Sequence, residues 1–536
     1  MRASSELKLV CALPLCALIL LSGRSVPVVR GTSSNAGSTG APGAASSGST
    51  TSTGASSISG TGSTAGTSSS SSGGTQASSG TLNGSTSSSG AGTAATSTTS
   101  SGTSSSSTSS PGSASAASTS TSCSLGYTSV PGWWDVRDFG ACCDWSLGTG
   151  QGTDDTVAFQ AAATAATANF RNTGAAIEVR IPNGCTITGS VTYGSGVHWR
   201  GPGSILVPSE HAAPVLVAQN ADDVSVEDLT VKILGYDTAC APTVNDARCV
   251  ALSYETTNAE SGVSHRKIRF TGNTIYDASW GIFVQNQAGN DTVSDIHVDR
   301  NTVVSSIPYT NHDGIHVGGA VSLFTIANNN VFGRGDAAIA VSSEVNGRYI
   351  CSGGTITGNT LLENLVGVDD SGCSDLVVTG NIARATLPVT NTSNPAFRSI
   401  FYGGVVPGDL TVSGNTFINY AGLGDDYAAK FDLIGSSTNL SNSTFSNNTI
   451  SSLYARGSRI TVQGNTFLDG ARYSCDIDAG NNIASDSIMI GQNTWLGTGT
   501  LSCEGNSALI TNDYLFQQMS VGNKLVLHVS SLIATQ

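Results

Sequence analysis

The chain has 536 residues with 64 glycines, 14 prolines and only 11% charged residues, against about a quarter in an ordinary soluble domain. Its formal charge is −14, and residues 123–536 hold 19 of the basic and 36 of the acidic residues, a net of −17. These figures exclude an ordinary helical protein and disfavour a partner held through its phosphates, so no nucleic acid is expected.

Residues 1–23 read as a signal peptide. Arg2 and Lys8 precede an apolar stretch from Leu9 to Leu21, followed by the small residues Ser22 and Gly23. A bilayer span takes about 20 apolar residues, so the pattern predicts a cleaved export signal, no membrane span, and a protein secreted to the extracellular space or cell wall. Residues 24–122 form a Ser/Thr/Gly-rich tract, and from Thr32 to Ser122 it contains no Asp, Glu, Lys or Arg. With so little apolar area to offset chain entropy, it is expected to be a disordered linker or stalk. N-glycosylation sequons occur at Asn83, Asn290, Asn391, Asn439, Asn442 and Asn447.

Residues 123–536 are expected to form one folded, monomeric domain. It opens on a short Ala-rich helix after Asp154 and Asp155, which are read as its N-terminal cap. A repeat of the form I-x-V-x-x-N-x-I then runs through Asn273, Asn301, Asn329, Asn359, Asn381, Asn415, Asn448, Asn465 and Asn493, with Leu229 in the asparagine slot of an earlier unit. The spacings are 28, 28, 30, 22, 34, 33, 17 and 28. Each unit alternates apolar and polar residues, turns at the asparagine, and cannot bury its inner face alone. Stacked units can, and the predicted fold is an all-β, right-handed parallel β-helix in which the nine asparagines form a structural amide ladder.

Ten cysteines lie outside the signal, an even number suited to an oxidising compartment. Cys351 with Cys373 and Cys475 with Cys503 are each one coil apart and are expected to bridge neighbouring rungs. Cys240 and Cys249 would close a loop. Cys123, Cys142, Cys143 and Cys185 are left for the N-terminal cap, with three connectivities open.

Aligning the second strand of successive coils superposes Ser279–Val284, His312–Val317, Asp336–Val341 and Leu365–Asp370. Trp280, Asp313 and Ala337 then share one column, and Ser279, His312 and Asp336 the next. Two carboxylates on adjacent coils of one outer face form an arrangement able to cleave a glycosidic bond.

The segment from Val136 to Ala166, with Asp138-Phe139-Gly140-Ala141 and Asp154-Asp155-Thr156, resembles the opening of secreted pectate-lyase-like and polygalacturonase-like β-helix proteins. Asn311-His312-Asp313-Gly314 and Gly335-Asp336-Ala337 resemble the NTDG and GDD motifs of polygalacturonase-type glycoside hydrolases. The resemblance implies a polysaccharide substrate, with Asp336 as general acid and Asp313 activating water. The family's third carboxylate is replaced by Ala337, its GHG motif has no histidine near Val366–Val368, and Arg398-Ser399-Ile400 is the nearest remnant of its RIK motif. His312 and His316 are further catalytic candidates, and Tyr309, Trp280, Arg334 and Arg398 are candidates for substrate binding.

The alternative is a C5-epimerase or lyase of uronate polymers, in which Tyr309, Asp313, His316 and Asp336 resemble the grouping in alginate epimerases. A non-catalytic glycan-binding or cell-surface β-helix is the third reading. No cofactor or metal site is assigned; Asp369 and Asp370 could hold a Ca²⁺ bridging an anionic substrate but are read first as capping a turn.

Overall fold

The computed structural model describes Cys123 and residues 133–208, 214–234, 250–256, 263–286, 292–308, 311–343, 351–386, 395–400, 408–418, 427–432, 442–456, 460–476, 489–496, 499–504, 509–511, 519–521 and 524–529. The chain divides into two units, residues 1–110 and 111–536. All described residues belong to the second.

The repeat folds into coils of three short strands, and each strand pairs in parallel with its counterpart one coil earlier and one coil later. On one face Thr274–Tyr276 is followed by Thr302–Val304, Asn330–Phe332 and Thr360–Leu362. On a second, Trp280–Asn286 is followed by Ile315–Gly319, Ala337–Ser342, Val366–Ser371 and Phe397–Ile400. On a third, Thr292–Asp299 is followed by Val321–Ala327, Thr355–Thr357 and Val377–Thr379. Parallel strands joined by crossovers of one hand give the right-handed parallel β-helix. At the C-terminal end the ladder departs from this rule, because Lys524–Val529 runs antiparallel to Gly499–Glu504.

Period-two alternation explains the core. Along the second face Ile282, Ile315, Ile339, Val368 and Phe397 stack one above another, all fully buried. Further on, Phe397, Phe417 and Phe445, one from each of the three faces, meet inside the coils with ring centroids 5.9 and 6.5 Å apart, the first pair stacked and the second tilted. The stacked columns bury like side chains on like, which suits β-branched and aromatic residues.

The nine asparagines form the expected ladder. Each of the first eight donates its backbone N–H to the next asparagine's Oδ1 at 2.9–3.0 Å, and its Nδ2 bonds the same oxygen. At the start of the ladder the Leu229 N–H bonds Asn273 Oδ1 at 3.1 Å. The residue before each ladder asparagine is left-handed, with φ between 54° and 68° from Gly272 to Gln492. Glycine or asparagine tolerates that corner, so Gly-Asn and Asn-Asn recur there.

The helix Thr156–Thr173 buries Ala158, Phe159, Ala162, Ala163 and Ala166, with Phe159 stacked 5.7 Å from Trp199. Asp155 is its N-cap residue, but its side chain makes no cap bond. Its carboxylate instead accepts the N–H groups of Cys142 and Thr186, at 2.6 and 2.9 Å, while Asp154 takes the Thr156 N–H at 3.0 Å. The pair is structural as expected, with the roles of the two residues distributed differently.

Cys351 and Cys373 form the expected disulfide, their Cα atoms 4.6 Å apart. The N-terminal four resolve as Cys123–Cys142 and Cys143–Cys185. Cys475 and Cys503 are register partners on neighbouring strands. Their side chains, and Cys240 and Cys249 altogether, lie outside the described residues.

Candidate active site

The second face carries the site. Ile282 pairs with Ile315 and Ile315 with Ile339, so Trp280, Asp313 and Ala337 fall in one column and Ser279, His312 and Asp336 in the next. The outward column beside them reads Phe283, His316, Ala340, Asp369, Arg398 and Lys430 on successive coils.

Asp313 is only 4% exposed, whereas the sequence predicts an open, outward carboxylate. The cause is its bonding: Oδ1 accepts the Ala337 N–H at 2.9 Å, and Oδ2 faces His316 Nδ1 at 3.0 Å. Asp313 thus lies beneath His316. The other ring nitrogen, Nε2, meets Gln285 Oε1 at 3.1 Å and Ser342 Oγ at 3.5 Å. Aromatic packing fixes the ring: Phe283 stacks on His316 at 5.1 Å, and Trp280 meets it edge-on at 5.4 Å. Trp280 also stacks on His312 at 4.9 Å and 13°. At least one indole face is therefore engaged by protein and is not a free sugar platform.

Asp336 presents an exposed residue surface, yet its carboxyl sits in a crowded corner. Desolvation, then the charges of Asp313 and Asp369, push its pKa up to about 7, opposed by Arg398 and His316. A carboxyl in this state holds a proton close to neutral pH.

Two expected substrate-binding residues are otherwise engaged. Arg334 is fully buried, and its guanidinium donates to the carbonyls of His312 at 2.9 Å, Ala278 and Asp313 at 3.1 Å, and Ser279. It fastens the turn that bears His312 and Asp313 from behind and does not reach the groove. Arg398 grips Asp369 through two contacts, with Nε to Oδ1 at 2.8 Å and Nη2 to Oδ2. Tyr309 lies outside the described residues.

Asp369 and Asp370 cannot share an ion, because neighbouring residues of a strand leave it on opposite sides. Asp369 points outward to Arg398, whereas Asp370 is fully buried and accepts from Ser399 Oγ at 2.7 Å and the Cys373 N–H at 2.8 Å. The one described cluster with metal-like geometry, Cys143, Asp155 and Cys185, is occupied by the Cys143–Cys185 disulfide.

Gln285, Phe283 and Ser342 are site residues that sequence reasoning missed. The alignment that placed Trp280 with Asp313 ends at Val284; extended one position, it brings Gln285 beside Gly318 and Ser342.

Compared as a sequence, the chain matches no family model and no curated protein. Compared as a fold, it is similar to the catalytic unit of a thermostable α-1,3-glucanase from Streptomyces thermodiastaticus, with 17% identity, a TM-score of 0.46 and 70% of each chain covered. It is also similar to a mannuronan C-5 epimerase A-module from Azotobacter vinelandii, with 15% identity, a TM-score of 0.42, and 70% of this chain and 98% of that one covered. A surface adhesin of Streptococcus pneumoniae matches with 12% identity and a TM-score of 0.43, covering 74% of this chain and 100% of that one. By its three-strand coils, parallel register and asparagine ladder, the chain has the right-handed parallel β-helix fold.

Proposed function

We propose that the protein is a secreted glycoside hydrolase acting on a polysaccharide in the groove of the second face. One observation carries the reading: on adjacent coils a carboxyl that keeps its proton near neutral pH, Asp336, neighbours an imidazole–carboxylate pair, His316 and Asp313. Glycosidic cleavage asks for these two functions. Asp336 donates its proton to the leaving oxygen. Asp313, buried beneath His316 and held by the Ala337 N–H, acts on the attacking water through that imidazole, which it orients and whose positive charge it stabilises as the ring takes the proton. Burial lowers the local dielectric and strengthens both effects.

Secretion follows from the signal-like residues 1–23 and agrees with three disulfides among the described residues. No described helix is long and apolar enough to cross a membrane.

Uronate epimerisation or elimination is the second reading, favoured by the imidazole at the groove, which a purely two-carboxylate mechanism does not need. Incubation with polygalacturonate, alginate and neutral glycans separates the readings. New reducing ends support hydrolysis. Absorbance near 235 nm or proton exchange at C5 replaces it by the uronate chemistry, and binding without any product leaves a non-catalytic rod.

A further inference from the structure

Ala337 and Ala340, with Val366 one coil on, form a small buried apolar cluster apart from the main core. It adjoins the turn that bears Asp336, and the Val366 N–H donates to the Asp336 carbonyl at 3.1 Å. The coil that carries Asp369 is thereby tied to the residue read as the acid. In the outward column the small side chain of Ala340 separates His316 on the coil before from Asp369 on the coil after, and Arg398 follows. Asp369 is only 8% exposed, and both of its oxygens are taken by the Arg398 guanidinium, Nε to Oδ1 at 2.8 Å and Nη2 to Oδ2. The planar fork fixes both partners of such a bidentate pair.

We propose that the Asp369–Arg398 pair is a positioning element for Asp336, holding one negative and one positive charge against it, so that Arg398 serves the acid and not the sugar. The inference rests on the hydrolytic reading of Asp336 and adds the residues that keep it in its working state. The charges that bear on Asp336 come from both sides: Asp313 and His316 on the coil before, Asp369 and Arg398 on the coils after. Arg334, on its own turn, points back into backbone carbonyls, and Lys430 Nζ, next along the column, lies 5.8 Å from the centroid of the Tyr454 ring. Burial opposes the charge of Arg398, yet its bond to Asp369 and the charges of Asp369, Asp336 and Asp313 outweigh that cost. The guanidinium is thus in electrostatic reach of all three carboxyls. Beside an apolar cluster these charges are weakly screened. Asp369 makes the acid harder to ionise and Arg398 makes it easier, so the pair sets the balance.

The test follows the Asp336 carboxyl itself, by NMR of the full chain isotopically labelled at the aspartate carboxyl carbons, its signal assigned by its loss in Asp336→Asn. Asp369→Asn leaves Arg398 without its countercharge, and the titration midpoint of Asp336 should fall by about 1 on the pH scale. Arg398→Met leaves Asp369 unbalanced, and the midpoint should rise. Arg398→Lys keeps the charge and should return it toward the parent value, while the double variant Asp369→Asn/Arg398→Met should fall between the two single ones. Circular dichroism checks the fold; if Arg398→Met does not fold, Asp369→Asn decides, because its amide oxygen still accepts from Arg398. A merely structural role would lower the melting temperature without moving the midpoint in opposite senses. An unmoved midpoint in Asp369→Asn, or shifts of the same sign in folded Asp369→Asn and Arg398→Met, would overturn the proposal. The alkaline limb of kcat is read separately on the same chains. Opposed midpoint shifts without matching shifts in that limb, or without turnover in the parent, remove Asp336 as the hydrolytic acid and leave the pair standing. Unmoved midpoints beside a parent that hydrolyses glycan make the pair fall alone.

Discussion

Residue chemistry at this site is governed by what each polar group faces, and the sequence discloses that only in part. In the sequence a motif and a coil offset converge on Asp313 and Asp336, and the strand register does put them one coil apart and one residue out of step, but the burial of Asp313 leaves no such mark. Arg334, expected to bind substrate, instead holds the turn from behind; the four carbonyls that surround it come from two earlier turns and leave no sequence mark. Arg334→Met should lower the melting temperature and abolish turnover together, because buried carbonyls lose their donors at about 1–3 kcal/mol each. Thermal denaturation with an activity assay checks this. A further outcome follows from Asp336, whose pKa is raised to about 7. The protonated form is the working acid, so kcat should fall as pH rises through about 7. Asp336→Asn should remove about 99% or more of turnover, the usual order for loss of a general acid, while the fold persists. A pH–rate profile and circular dichroism would show both.

At the scale of the element, the asparagine corner is the most legible device in the chain. A left-handed residue followed by asparagine recurs because the corner needs both, and the spacing varies from 17 to 34 residues since only the connecting segments change length. Asn359→Ala would strand the Asn329 N–H, leave the Asn329 Nδ2 with Val298 O alone, and remove the Nδ2 donor to Ile326 O and Asn381 Oδ1, the latter keeping the backbone N–H of residue 359. A loss of about 2 to 4 kcal/mol is expected, measured by denaturant unfolding. Asp370 was not legible as an interior residue, because a strand ending in two aspartates reads as a polar turn. The structure puts it in the column of Val317 and Val341, where burial pushes its pKa up to about 8. An acid whose folded pKa lies above its unfolded value is favoured neutral. The fold should therefore lose stability relative to low pH as pH rises from about 4 to about 8. Asp370→Asn keeps an acceptor without the charge, so the drop between pH 5 and pH 8.5 should be smaller in the variant than in the parent.

For the whole molecule, the sequence conveys architecture better than chemistry. Repetition writes the coil many times over, so a single irregular unit such as the one around Leu229 does not obscure it. The site is written once, across three coils, and its partners Gln285, Gly318 and Ser342 meet only through register. Turnover itself is the most direct measurement: reducing ends released from a broad glycan panel by the parent, Asp313→Asn and Asp336→Asn, each with its melting temperature. The account predicts release by the parent alone, with all three proteins folded. Full activity in either folded variant, or no release by the parent from any glycan, would contradict it.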